Sequence, residues 1–306
     1  MPRRLTLAQL ATALATLALI PALGEEPLFQ AKPLTAPGSF TPGIEGPAVD
    51  ASGHIFAVNL SRQQTIGRVD QLGTAEIFVT LPGKSTGNGI RIGTDGTLYV
   101  ADYVEHNVLR IHPQTREIKI HAHNPHFNQP NDLTLATDGT LFASDPNWKE
   151  GTGQIWRIDP DGSTHRLAEG MGTTNGIELS PDGTRLYVNE SVQRNLWFFT
   201  VTATKTLSHK QLLRRFADFG FDGMRCDVDG NLYVTRHGKG TIVKLSPSGE
   251  ILTEIKIPGE NPTNLCFGGE DGRTVYVTEA KQGRLIQFRV DRPGLEFARL
   301  QRKSDR

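Results

Sequence analysis

Short polar turns followed by alternating or wholly apolar runs recur along this chain. The clearest repeat is Asp-Gly-x-Leu-Tyr-Val or a near variant, at Ala51–Ala57, Asp95–Val100, Asp138–Ala143, Asp182–Val188, Asp229–Val234 and Asp271–Val277. Asp-Gly is the dipeptide of a tight hairpin, expected here as a type I′ turn, and the run after it reads as a strand. Self-similarity at 40–45 residues is the mark of a propeller blade. Six copies predict six blades.

A second set of runs supplies third strands, at Gly67–Val69, Asn107–Ile111, Gln154–Ile158, Asn195–Phe198, Gly240–Leu245 and Gly283–Phe288. Turns such as Asp159-Pro160-Asp161-Gly162 then lead to outer strands of four-stranded blades. Little chain follows the last copy, so Leu28–Thr35 is expected to complete the sixth blade and close the ring, removing an exposed sheet edge. The expectation is an all-β, six-bladed propeller occupying residues 25–306 as one domain.

In a propeller the innermost strands line the axis. Reading back from each Asp-Gly turn reaches Glu45, Asn88, Asn131, Asn175, Asp222 and Asn264, spaced 43, 43, 44, 47 and 42 residues apart. A bland reading exists, since Asn-Gly is a common turn pair. It accounts for one or two copies more easily than for six in register. Two carboxylates and four amides on one axis are oxygen donors of the kind a hard divalent cation prefers.

The residues also resemble a known family, the senescence marker protein, gluconolactonase and luciferin-regenerating enzyme family of calcium-dependent six-bladed propellers. The resemblance runs from about Leu28 to Arg289. It is carried by Ile44-Glu45-Gly46-Pro47-Ala48-Val49-Asp50, Pro130-Asn131-Asp132, Thr174-Asn175-Gly176-Ile177, Phe221-Asp222-Gly223-Met224 and Thr263-Asn264-Leu265-Cys266-Phe267-Gly268-Gly269. It implies Glu45, Asn175 and Asp222 as metal ligands, with Asn131 touching the metal's water or the substrate and counted with the metal set. The implied cation is Ca²⁺, or another divalent ion such as Zn²⁺, Mn²⁺ or Mg²⁺. Animal members have Arg where Gln129 stands and Glu where Lys149 stands, so their sugar-lactone contacts do not transfer. Diisopropylfluorophosphatase looks similar in its Glu-Asn-Asn-Asp set.

The loops between second and third strands are expected on the collar's face. They include Asp102–His106, Asp145–Lys149, Asn189–Arg194, Arg236–Lys239 and Glu279–Gln282. Substrate contacts are expected from Asn131, Asn88, Asn264, Asp145, Trp148, Tyr103, Arg236 and His237, the two aromatics offering faces for a sugar ring. His121, His123 and His126 lie close in sequence but lack a completing ligand, and read as surface residues rather than zinc ligands. No Gly-x-Ser-x-Gly elbow and no dinucleotide or Walker glycine motif is present.

Composition narrows the partners. Thirty-three basic and thirty-three acidic side chains balance, so no basic field invites nucleic acid or an anionic membrane. With 37% hydrophobic residues, 32 Gly and 18 Pro, the chain reads as a turn-rich soluble monomer acting on a small molecule. Residues 1–24 pair Arg3 and Arg4 with an apolar stretch and end Ala22-Leu23-Gly24, the pattern of a cleavable export signal, conceivably twin-arginine. A periplasmic or secreted protein without a membrane anchor is therefore expected. Cys226 and Cys266 read as two buried free thiols.

The function expected is hydrolysis of a small sugar lactone, the cation polarising the carbonyl and Asp222 acting as general base. Alternatives are a non-catalytic sugar- or protein-binding propeller with a structural cation, and a phosphotriester hydrolase.

Overall fold

The computed structural model describes residues 27–304, so the export signal expected at residues 1–24 lies outside the described residues. Six antiparallel sheets of four strands each form a propeller. Blade 1 is Phe40–Val49, Ile55–Leu60, Thr65–Val69 and Ala75–Thr80; blade 2 is Gly87–Ile92, Leu98–Asp102, Asn107–Ile111 and Ile118–His123. Blade 3 is Leu133–Leu135, Leu141–Asn147, Thr152–Ile158 and Thr164–Met171; blade 4 is Thr174–Leu179, Arg185–Glu190, Asn195–Val201 and Leu207–Arg215. Blade 5 is Met224–Cys226, Leu232–Arg236, Thr241–Leu245 and Ile251–Lys256; blade 6 takes Pro262–Gly268, Thr274–Glu279 and Arg284–Arg289 from the C-terminal part of the chain. Its fourth strand is N-terminal, as expected, but it is only Lys32–Pro33, with Lys32 opposite Gln287 and a single bridge from Leu28 to Arg289.

Burial falls from axis to rim. Every residue of Thr174–Leu179 is buried, whereas no residue of the outer strand Leu207–Arg215 is. The core lies between blades: Val58 and Ile66 of blade 1, for example, pack with Ile90 and Val100 of blade 2. Cys226 and Cys266 are buried free thiols on the inner strands of blades 5 and 6.

The turns differ from expectation in type. At Gly53, Gly96, Gly139, Gly183, Gly230 and Gly272 φ is positive, but the residue before each glycine is not left-handed. Gly96 N donates to Gly93 O at 2.8 Å and Gly93 N to Thr97 O at 2.8 Å, a type I turn with a glycine bulge rather than a type I′ hairpin. The Asp prefers this turn because its own carboxylate accepts the amide two residues on, Thr97 N at 3.0 Å from Asp95 Oδ1.

One element escaped the sequence pattern. A helix, α1, spans Leu295–Ser304. Leu295 is buried with the core between blades 4 and 5, the ring of Phe297 crowds Gly272 of blade 6, and Arg299 Nη1 donates to Leu135 O of blade 3 at 3.1 Å. Contacts to blades on all sides place the helix across the channel end opposite the collar.

Candidate active site

Asn88, Asn131, Asn175, Asp222 and Asn264 stand at or just before the start of an inner strand, and Glu45 lies at a register break inside Phe40–Val49. In blades 1, 2 and 4 the pairing register slips at that point, between Glu45 and Ala48, Gly87 and Ile90, and Thr174 and Ile177, and such bulges re-aim side chains. The following glycines let neighbouring blades close in. Gly46, at φ +56°, would place a Cβ 1.9 Å from Asn88 O, and a Cβ on Gly223 would lie 2.0 Å from Asn264 Cγ. The Asx-Gly and Glu-Gly pairs are thus inter-blade contacts at the axis, not hairpin turns.

Glu45, Asn88, Asn131, Asn175 and Asp222 line one cavity of about 660 Å³. Glu45, Asn131 and Asn175 are buried and Asp222 half-buried. Backbone and side-chain bonds hold them. Asp222 O accepts from Gly176 N at 3.1 Å and Asn189 Nδ2 at 2.6 Å. Glu45 Oε2 accepts from Gly46 N at 2.7 Å. Ser191 Oγ donates to Phe221 O at 2.7 Å, so toward Asn175 Nδ2 at 3.0 Å it acts as acceptor. That bond fixes the amide and leaves Asn175 Oδ1 to accept from, or ligate, a guest.

Burial and mutual repulsion dominate the electrostatics. Desolvation, with the charge of Asp132 nearby, pushes Glu45 up to about 7, and desolvation with the charge of Glu45 raises Asp222 well above the ordinary carboxylate range. Among the described residues no Lys, Arg or His side chain pairs with either. Two neighbouring buried carboxylates without a protein cation, flanked by amide oxygens, make a donor set that fits a hard divalent ion. Among the described residues no three His, Cys, Asp or Glu side chains are grouped so as to hold a metal ion, so a cation at the collar would depend on the amide oxygens beside Glu45 and Asp222. His121 stacks edge-on against Tyr99 at 5.0 Å, His123 Nδ1 lies 2.9 Å from Asn107 Oδ1, and His126 is exposed outside the cavity.

Of the expected substrate contacts, Asn88, Asn131, Tyr103, Trp148 and His237 line the cavity. Asn264, Asp145 and Arg236 do not, for identifiable reasons. Asn264 turns beneath the collar, accepting Leu265 N at 2.9 Å and donating to Asp132 Oδ2 at 3.3 Å. Asp145 is fully buried and anchors the preceding loop, accepting Asn128 N at 2.9 Å, Gln129 N at 2.6 Å and Trp156 Nε1 at 3.0 Å. Asp102, Glu190 and Glu279 do the same for Thr86, Gly172 and Asn261 in other blades. Arg236 fills that slot in blade 5, donating to Asp218 Oδ1 at 2.8 Å and lying 4.2 Å over the ring of Phe216. These are loop anchors. The cavity wall also holds residues not expected as contacts: Ser191, Val192, Arg194, Phe219 and Phe221, with Gln129 beside Asn131. Phe219 and Phe221 lie on the connection from blade 4 to blade 5, a class of loop that the sequence reading did not consider, though it leads directly into the collar residue Asp222.

Comparison with known proteins places this geometry. The profile of the SMP-30/Gluconolactonase/LRE-like region matches residues 32–281. A gluconolactonase of Zymomonas mobilis is 32% identical over 216 residues, 62% of this chain and 60% of that protein. A 6-deoxy-6-sulfogluconolactonase of Pseudomonas putida is 32% identical over 165 residues, 52% of this chain and 56% of that protein. The chain therefore spans under two thirds of the length of these curated relatives. Among solved structures, a calcium-binding regucalcin from Agrobacterium tumefaciens superposes with a TM-score of 0.76 at 20% identity, covering 87% of this chain and 96% of that one, a likeness of fold alone. Because the profile takes in most of its length, the chain belongs to the SMP-30/Gluconolactonase/LRE-like family.

Proposed function

We propose that this chain is a metal-dependent hydrolase of small sugar lactones. The observation that carries the reading is the pair Glu45 and Asp222, unmatched by any protein cation, on the floor of an open cavity with Asn131 and Asn175. The lactonases among its relatives support the same class. Glu45, Asn131, Asn175 and Asp222 would hold a divalent cation, Ca²⁺ by the oxygen chemistry of the set. When bound, the ion supplies Lewis-acid polarisation of an acyl oxygen, worth several kcal/mol.

The remaining work belongs to side chains. Asp222, raised by burial and by Glu45, takes a proton from the attacking water on a carboxylate oxygen. The water oxygen bonds to the acyl carbon, the ring carbon–oxygen bond breaks, and the proton passes to the departing ring oxygen, giving the open hydroxy acid. Tyr103 and Trp148 offer ring faces to the sugar, while Gln129, Asn88 and His237 offer polar contacts along the wall. Burial lowers the His237 pKa, so at neutral pH it meets hydroxyls as an uncharged ring. Export by the segment at residues 1–24 would place the reaction outside the cytoplasm, and the N-terminal sequence of mature protein checks this.

The test is pH-stat hydrolysis of glucono- and galactonolactones, with a phosphotriester alongside, before and after chelation. Lactone turnover that disappears with chelator and returns with Ca²⁺ is expected. Undiminished turnover by metal-free protein, or a cation-loaded protein inert toward every lactone, would overturn the reading.

A further inference from the structure

Below the collar lies a second charged layer that lactone hydrolysis does not use. Three residues after the collar positions Asn88, Asn175 and Asp222, the inner strands carry Arg91, Glu178 and Arg225, and Asp132 follows Asn131. All four are buried. Arg91 lies 3.2 Å from Glu178 and 2.5 Å from Glu296, on the first turn of α1. Arg225 lies 2.9 Å from Asp132 and 3.7 Å from Glu296, and its Nη2 has no hydrogen-bond partner. Three carboxylates thus face Arg91 and Arg225, and Arg299 of α1, tied to Leu135 O, is close enough to act on Glu178, so the charges of the layer balance.

We propose that Glu296 is a positioning residue for the cation site: acting through Arg225 and Asp132, it sets the charge beneath the collar and hence the collar's affinity for a divalent cation. This rests on the cation reading of the collar. Asp132 is close enough to repel both Glu45 and Asp222, so its charge attracts a cation bound there without ligating it. Arg225 opposes that attraction. Glu296 draws part of the Arg225 charge toward the helix. Without the Glu296 charge the layer becomes net positive and Asp132 is left as the carboxylate beside Arg225, and both changes make the collar less negative. Arg91, Asp132, Glu178 and Arg225 are buried and Glu296 is half-buried at the layer's edge, so both effects are screened by salt less than those of a surface charge.

The experiment is calorimetric titration of chelator-stripped full-length protein with Ca²⁺. Glu296→Gln should raise Kd by roughly five- to tenfold, at the low end of the usual range of coupling between sites. Leu295→Ala loosens the same helix without changing charge. It should lower Tm yet leave Kd within about twofold of the parent, inside the range of coupling too weak to count. Equal Kd for Glu296→Gln and parent protein would overturn the proposal, as would Leu295→Ala weakening Ca²⁺ as much as Glu296→Gln, because the helix would then matter as a lid rather than through its charge. Parent protein that binds no Ca²⁺ would instead overturn the cation reading, and this inference with it.

Discussion

The two ends of the channel solve the same electrostatic problem differently. At the lower end, buried Asp132, Glu178 and the helix residue Glu296 each face Arg91 or Arg225 at 2.5–3.7 Å. At the upper end, Glu45 and Asp222 sit together with no Lys, Arg or His side chain paired to either among the described residues, and Asp132 adds further negative charge nearby. Buried charges are ordinarily paired. A chain that supplies guanidiniums three residues after Asn88 and Asp222 leaves the upper pair short of positive charge on the floor of an open cavity, whereas the cavity beside the helix is lined by Glu296 together with Arg299. On the proposed function, the missing charge is the one a bound cation would supply.

The largest effect should come from Asp222→Asn. Read at saturating Ca²⁺, loss of a general base should lower kcat by roughly 10²- to 10⁴-fold. A near-normal kcat would leave Asp222 a ligand only and weaken the contrast between the ends. At the lower end the corresponding cut acts on stability. Arg225→Met strands Asp132 in the core, and breaking a buried pair costs about 3–5 kcal/mol. Urea unfolding should show this loss, and adding Asp132→Asn should recover part of it. A single variant as stable as the parent would mean that the lower pairs do not balance the layer.

How much of this was legible in the sequence follows from the same two ends. The collar repeats a side-chain carboxylate or carboxamide at one period, so Glu45, Asn88, Asn131, Asn175 and Asp222 emerge from alignment alone. Arg91, Glu178 and Arg225 sit at the same period but in differing chemistry, and strict alternation does not send position three to the collar's side. The bulges that do so are visible only in the pairing register. Helix α1 follows Pro293-Gly294 and brings Glu296 early in its first turn, a start signal that was available but fell beyond the last repeat. Asp145 and Arg236 were mistaken for substrate contacts because a charged residue at a strand end looks identical whether it faces a ligand or holds a loop.

A pH scan sharpens the comparison further. In cation-free protein Glu45 titrates at about 7, above its ordinary value of 4.5, so at intermediate pH the folded state holds a proton that the unfolded state has released. Its contribution is fully present below pH 4.5 and is lost as pH rises through about 7, on the order of 3 kcal/mol. Asp222 shifts in the same direction. Chelated protein should therefore melt at lower temperature at pH 8 than at pH 5. Bound Ca²⁺ favours the ionised carboxylates and should flatten that slope. Asp145, pushed up to about 6 by burial, tilts both curves alike, so their difference reports the collar. Parallel melting curves with and without Ca²⁺ would mean that the upper carboxylates need no external charge.

The smallest predicted effect concerns the turns at the two ends. At the helix-covered end, every turn between first and second strands places glycine at positive φ: Gly53, Gly96, Gly139, Gly183, Gly230 and Gly272. At the cavity end, the residue before each third strand is also left-handed. Three of these are Gly151, Gly240 and Gly283, but three are Gln64 at φ 67°, His106 at 56° and Arg194 at 59°. A non-glycine residue there costs about 1 kcal/mol. Gly183 has no neighbour within 4 Å of where a Cβ would stand, so Gly183→Ala isolates that backbone strain and should destabilise by about 1 kcal/mol. Gln64→Gly, at the other end, relieves the strain but gives up the bond from Nε2 to Gly83 O at 2.8 Å and frees the unfolded chain. Its net effect should be a gain of no more than about 0.5 kcal/mol, read as a small rise in the urea midpoint. A loss approaching that of Gly183→Ala would show that the cavity-end turns are held by their side chains rather than merely tolerating them.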